Sequence, residues 1–441
     1  MRDIVLTLVF AGILPFAFKH TWIGVLLWTW FSVMNPHRLT YGFANGLPFA
    51  FMAAIAVLAS TLWNRRELRF PKDAISVFTV LFTVWICITT AAGFMPEQSM
   101  RDLDRALKVL VMVVISMTAL RERRHIEWFI WVNVLSIGYY GLKGGLFTIA
   151  SGGGARVWGP TGSFLEGNNE IGLAFIMMIP FANYLRVISP HRWVRRGLML
   201  IMLLSAAGAL GTQSRGAFLA IVAMGLVLWL RSSRKAVGAL GIGTAAVLLL
   251  MFMPESWEQR MNTIGTYQSD ASAQGRLNAW TTAINIANDR ITGGGFYIEH
   301  PSVFSIYAPN PEVIFTAHSI YFQALGEQGW TGLFLFMSIG AAAFWSAGRL
   351  RKAGLEREEM RWLHELGGMA QVSMVGFAVG GAFLSLTYLD LSFNVAVIVV
   401  CAKCWMLEER WRTDTVGALG ARAPRPAGDP KLHAWRLWRP A

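Results

Sequence analysis

Charge is scarce in this chain: Asp, Glu, Lys and Arg make up 15% of its 441 residues, against roughly 25% in ordinary soluble domains. With 54% hydrophobic residues, a soluble fold would expose hydrocarbon over much of its surface, so a single soluble domain is excluded. Three cysteines exclude a secreted disulfide scaffold. Cys401 and Cys404 form a C-x-x-C, but no second Cys/His pair stands at ligand spacing to make a zinc or redox centre. There is no Walker motif and no H-E-x-x-H, so nucleotide hydrolysis and a zinc-peptidase site lose support. The glycine runs at 152–154 and 293–295 do not sit between a strand and a helix, and read as loop punctuation.

What is present is apolar sequence in long runs. Segments near 46–63, 74–94, 106–120, 126–150, 169–188, 197–212, 216–230, 236–253, 319–347, 366–386 and 391–407 follow an ambiguous stretch at 4–34. Most approach the roughly 20 residues that cross a bilayer, and they lack the alternation of a lipid-embedded barrel. The fold class expected is therefore an all-α polytopic membrane protein, one integral domain over 1–441. The net charge of +13 does not indicate nucleic acid, because 28 of the 39 Lys and Arg lie at Arg2, in alternate connections between spans and in the C-terminal stretch 402–441, of which 408–441 reads as a basic tail. The positive-inside rule places these in the cytoplasm. With both termini cytoplasmic, parity requires 4–34 to cross an odd number of times. One broken crossing there, interrupted at Pro15 and Lys19-His20, gives about twelve crossings, with Lys19 outward. The first span lacks a small-residue cleavage site and is expected to remain as an anchor.

The outward side is unusual. Arg156, Arg215, Arg260, Arg276 and Arg290 lie in or beside the polar segments 151–168, 211–215 and 254–318, the last being the only long loop. Within it, Trp257, Met261 and Ile264, and then Leu277, Trp280, Ile284 and Ala287, recur at helical spacing, as in helices lying on a membrane surface. Two readings stand: the Trp and Arg residues anchor and snorkel at the lipid interface, or the guanidinium forks converge on a phosphate-bearing headgroup. Arg215 favours the second, because it sits in the very short hairpin Gly211-Thr212-Gln213-Ser214-Arg215-Gly216 and opposes the positive-inside trend. His318, at the mouth of the span after the long loop, faces the same compartment and suits a general base. Glu327 lies too deep and on the wrong face of a straight helix to orient His318. Gly326, Gly329 and Gly332 around it mark a close helix contact, and Glu327 reads as a buried structural carboxylate.

Arg156-Val157-Trp158-Gly159-Pro160-Thr161-Gly162-Ser163-Phe164 with Asn168-Asn169-Glu170, then Thr212-Gln213-Ser214-Arg215-Gly216, Gly275-Arg276-Leu277-Asn278-Ala279-Trp280, and His318-Ser319-x-Tyr321 with Gly326-Glu327-x-Gly329 resemble the O-antigen ligase and polymerase superfamily. The resemblance covers nearly the whole chain, and the N-terminal third is also similar to O-glycosylation ligases that accompany exosortase-type systems. It implies a metal-independent, cofactor-free glycosyltransferase of GT-C-like architecture in the bacterial inner membrane. The donor would be a glycan on undecaprenyl pyrophosphate and a ligase's acceptor lipid A-core oligosaccharide, joined at the periplasmic face. The same resemblance makes Arg215 and Arg276 ligands of the pyrophosphate and His318 the base, with Arg156, Arg260, Arg290 and Asp390 as further substrate-binding candidates. Polymerase, ligase and protein glycan ligase stay open. A lipid-linked oligosaccharide flippase is the non-enzymatic alternative, although neither mid-membrane charges nor repeated broken halves are evident.

Overall fold

The computed structural model describes residues 1–65, 68–231, 235–236 and 271–413. Among them every regular element is helical. The first six α-helices are α1 (Arg2–Lys19), α2 (Thr21–Val33), α3 (Phe49–Trp63), α4 (Ala74–Ala91), α5 (Pro96–Ala119) and α6 (Arg123–Ala150). Then come α7 (Asn168–Ile188), α8 (Arg192–Gly211), α9 (Arg215–Arg231), α10 (Ala271–Asp289) and α11 (Pro301–Tyr307). The last three are α12 (Ile320–Ala353), α13 (Arg361–Gly381) and α14 (Asp390–Leu407). The span expected at 236–253 and the helix expected around Trp257 lie outside the described residues, as does the tail from 414 onward.

Helix starts follow local chemistry. Asp73 caps α4 by accepting the Ile75 amide at 3.0 Å, and Pro96 opens α5 where no backbone donor is needed. Among the described residues five helices, α4, α7, α8, α12 and α14, are long and apolar enough to cross a membrane. Their outer faces are greasy: Val77, Leu81, Val84 and Ile88 on α4 and Leu200 and Leu203 on α8 are exposed, the inverse of a water-soluble bundle. The most enclosed spans are α7 and α14, each 72% buried against 33% for α8.

Contacts between distant segments define two ends of the bundle. At the basic end Arg121 pairs with Glu408 at 2.6 Å, Lys403 pairs with Asp73, and Arg123 lies 5.0 Å over the Trp362 ring. At the other end Val157 N donates to Gly211 O at 3.1 Å and Phe94 N to Gly294 O at 2.9 Å.

These ends correct the expectation of one broken crossing at 4–34. Asp3 Oδ1 accepts the amides of Gly42 and Ala44, each at 3.0 Å, and Arg2 lies over the Tyr41 ring. Meanwhile Asn64 Nδ2 donates to Lys19 O at 3.0 Å, and Trp22 stacks on His125 at 4.3 Å. The chain reverses at His20, which takes an extended conformation between α1 and α2. Hence α1 and α2 form a hairpin, and Arg2 and Lys19 exchange ends relative to the sequence reading. One positive charge at the N-terminus is outweighed by two amide bonds to its carboxylate neighbour and by packing of α1 on α2 and α3.

Candidate active site

The site rests on a break in α12. Gly329 takes φ 68 and ψ −176 inside that helix, a region costly for a side chain and open to glycine. A helix break strands backbone carbonyls, and three consecutive ones are answered from outside the helix. Gly294 N donates to Gly326 O and Gly295 N to Glu327 O, each at 2.9 Å, while Trp85 Nε1 donates to Gln328 O at 2.8 Å. The glycine run 293–295 is therefore an insertion into the break rather than mere punctuation. Gly326, Gly329 and Gly332 do mark close contacts, but against different partners: a Cβ would meet Ala283 of α10 at 3.0 Å, Ile291 O at 2.3 Å and Trp85 at 3.3 Å respectively.

Glu327 is buried as expected. Its carboxylate accepts from Gln323 Nε2 at 3.1 Å and from Tyr388 Oη at 2.7 Å. Gln328 Nε2 donates to the same Tyr388 oxygen at 2.8 Å, and Thr89 donates to Gln328. This network ties α4, α12 and the segment before α14 together behind the break.

On the half of α12 before the break, α10 packs with Gly275, Ala279, Ala283 and Ile286 turned inward. A helix forms where the periodicity places one, and the residues it buries most fully against protein are chiefly the small ones rather than Leu277 and Ile284. Leu277 is 40% exposed, because small residues let α10 approach α12 closely. Trp280 stacks on Phe322 at 4.6 Å, and its Nε1 donates to Ala317 O at 2.6 Å, fixing the residue before His318. One turn earlier on α10, a Cβ at Gly275 would lie 2.8 Å from the Phe315 ring, and Phe315 stands edge-on to His318 at 6.0 Å. Arg276 and His318 are thus brought together. His318 is half-buried at φ 42, and burial and then the Arg276 charge hold its imidazole below the ordinary 6.5. It is consequently neutral, and able to accept a proton, at pH 7.

Arg215 opens α9 after a tightly braced turn. Gln213 takes φ 54, its Nε2 donates to Gly153 O at 3.1 Å, and its Oε1 accepts from Arg156 Nε at 3.2 Å. Asn168 Nδ2 donates to Thr212 O at 2.8 Å. Arg215 and His318 flank the same end of α13: a Cβ at Gly216 would meet Phe383 at 3.2 Å and Gly380 O at 3.3 Å, and one at Gly381 would meet Ile320 at 2.7 Å. Tyr321 Oη also donates to Ala378 O at 2.7 Å. Arg156, Arg215, Arg276 and His318 therefore gather at one end of the bundle.

The remaining described candidates are engaged in structural contacts. Arg290 donates Nε to Gly293 O at 3.2 Å, also donates to Ala92 O, and lies 4.5 Å over the Phe94 ring. It fastens the inserted loop, about 21 Å along α10 from Arg276 at 1.5 Å per residue. Asp390 is buried and accepts from Ser32 Oγ at 2.6 Å, a helix-to-helix tie. Arg260 lies outside the described residues. Two residues escaped sequence reasoning. Gln213 is the brace between Arg156 and the Arg215 turn. Glu299 is exposed, yet surrounding protein raises its carboxyl above the usual range against the pull of a Thr316 hydroxyl bond. Neither sits in a pattern that periodicity detects.

The chain's one D-x-D, Asp102-Leu103-Asp104, lies within α5. Positions two apart on an α-helix diverge by about 200°, and the two carboxylates pair separately with Arg105 at 3.6 Å and Lys108 at 2.5 Å. Among the described residues no three His, Cys, Asp or Glu side chains converge as a metal-holding group.

Residues 172–337 match the O-antigen ligase family. This match, over more than a third of the chain, supports a member of the O-antigen ligase/polymerase superfamily. Residues 1–189 match a second family, described as a family of unknown function (DUF5935). No curated protein matches the chain. Arg215, Arg276, Glu299 and His318 all lie inside the O-antigen ligase match, Arg156 lies in the N-terminal one, and Asp390 lies beyond both. The superfamily match thus spans both sides of the constellation, the α9 turn and the α10–α12 clamp.

Proposed function

We propose that the protein is an O-antigen ligase, transferring a glycan from undecaprenyl pyrophosphate to lipid A-core oligosaccharide at the periplasmic face of the bacterial inner membrane. The observation that carries this reading is the joining of Arg276 to a neutral, half-buried His318 by the Trp280–Ala317 bond and the Phe315 contact. A glycosyl pyrophosphate already contains a leaving group. The protein must neutralise the charge that develops on it, remove one proton and align two substrates. His318 takes the proton from the acceptor hydroxyl as that oxygen attacks the anomeric carbon. The bond from that carbon to the pyrophosphate oxygen breaks, and Arg276 and Arg215 receive the departing negative charge. One displacement inverts the anomeric centre. Guanidinium groups fill the electrostatic role that a divalent cation would otherwise hold, so we expect no metal requirement. In this orientation the basic end faces the cytoplasm, and the N-terminus, by the α1–α2 hairpin, shares the periplasmic end with the site.

The test is transfer by the purified protein from a polyprenyl-pyrophosphate glycan, offered lipid A-core, a second glycan and a peptide as separate acceptors, with excess EDTA and product mass as readout. Product on lipid A-core alone, undiminished by EDTA and abolished in His318→Ala, supports the ligase. Product only on the glycan or the peptide replaces it with a polymerase or a protein glycan ligase. Loss in EDTA restored by Mg²⁺ overturns the mechanism.

A further inference from the structure

The basic end, opposite His318, carries a groove of about 310 Å³ between α4, α12 and α14. It exists because α12 presents small side chains there: Ser338, Ala341 and Ala342 line the floor. Phe78 of α4 and Trp345 form the walls. On α12 the positions Ala341/Ala342, Trp345 and Arg349 follow one another at three- and four-residue intervals, so they share one face of the helix. From mid-bundle toward the basic end that face runs from small apolar, through aromatic, to cationic. A phospholipid has the same order of acyl chain, glycerol and phosphate, with tryptophan suited to the intermediate level.

The charges select the headgroup. Lys403 also borders the groove, but its Nζ is paired with Asp73 and reaches Ser346 Oγ at 3.4 Å, so that cation is already neutralised. Arg349 is exposed and makes no ion pair with any described residue, leaving one uncompensated guanidinium at the mouth. The volume is at the small end of ligand pockets, with room for an alkyl chain rather than a partner helix. The chain's own residues after 413 carry five Lys and Arg against two Asp, a poor complement to Arg349.

We propose that this groove binds one anionic phospholipid, with an acyl chain along Ala341, Ala342 and Phe78 and the phosphate on Arg349. The experiment uses the purified full chain, titrated with phosphatidylglycerol or phosphatidylcholine of identical acyl chains and read by native mass spectrometry. It needs no glycan substrate, so its result is independent of the proposed transfer reaction. We expect one phosphatidylglycerol retained at least several-fold more strongly than phosphatidylcholine. Arg349→Ala should erase that preference and Arg349→Lys keep part of it, while Ala342→Phe, which fills the groove, should lower retention of both lipids. Arg349 is exposed, so its replacement leaves packing undisturbed. Equal retention of the two lipids by the unaltered chain, or a preference that survives both Arg349→Ala and Ala342→Phe, overturns the proposal.

Discussion

Gly293→Ala tests whether the inserted loop holds the site together. Gly293 takes φ 66, and a Cβ there would lie 2.5 Å from Gly329 N, 2.8 Å from Gly326 O and 2.9 Å from Gln328 N. All three atoms are backbone, so no rotamer change relieves the clash; the loop or the broken helix must shift. Left-handed backbone costs a non-glycine residue about 1–2 kcal/mol, and an unaccommodated methyl in tight packing costs about 1–3 kcal/mol. The sum is a loss of about 2–5 kcal/mol. Gly152→Ala supplies the control, because Gly152 takes φ 58 with nothing within 4 Å of the added Cβ. It should lose only the backbone component, about 1–2 kcal/mol. Reversible unfolding of the two purified variants in SDS, beside the unaltered protein, measures the difference. Transfer activity should fall further in Gly293→Ala than in Gly152→Ala, since moving the loop displaces the end of α10 that carries Arg290. Equal stability of the two variants would refute the account of the helix break.

With His318 held below 6.5, the acid limb of kcat/KM should lie below pH 6.5, because a base with a lowered pKa stays unprotonated further down the pH scale; a limb at or above 6.5 refutes this. In Arg276→Gln the residual activity should show that limb moved upward, as a repelling charge has been removed. Arg215→Lys and Arg276→Lys should lose much of what the Ala variants lose, because an ammonium keeps the charge but not the two-pronged contact with phosphate; fully active Lys variants would reduce both to general electrostatics. In a chain without its native thiols, single cysteines at Arg2 and Tyr41 should react with an impermeant reagent from one side of sealed vesicles and those at Lys19 and Asn64 from the other. Finding Arg2 and Lys19 on one side removes the α1–α2 hairpin.

The apolar runs were legible because a span needs only length and composition, properties that survive without knowledge of neighbours. The hairpin was not. Pro15 is accommodated inside α1, and the reversal at His20 is decided by contacts of Asp3 with Gly42 and Ala44, segments far apart in sequence. Charge counting gave Arg2 the vote, and a single terminal cation is weak evidence beside packing. Glu327 was legible as a structural carboxylate from depth alone, although its partners Gln323 and Tyr388 come from two different segments.

His318 and Arg276 were legible as candidates, but what joins them was not. Spacing cannot reveal that Trp280 stacks on Phe322 or that its indole reaches Ala317 O, since any aromatic near a membrane reads equally well as an interfacial anchor. Nor can glycines at intervals of three separate a helix crossing from a broken helix; only the positive φ of Gly329 does that. Yet the break is what the site depends on. An unbroken α12 would satisfy its own carbonyls at 326–328 and leave Gly294, Gly295 and Trp85 without acceptors there. The loop at 293–295 would then lose its seat, and α10 its fixed end. Arg276 and Trp280 are positioned against His318 by the same rigid helix that this loop terminates. The break at Gly329 thus lies behind Arg276, Trp280 and His318 and, through α10, fixes their spacing.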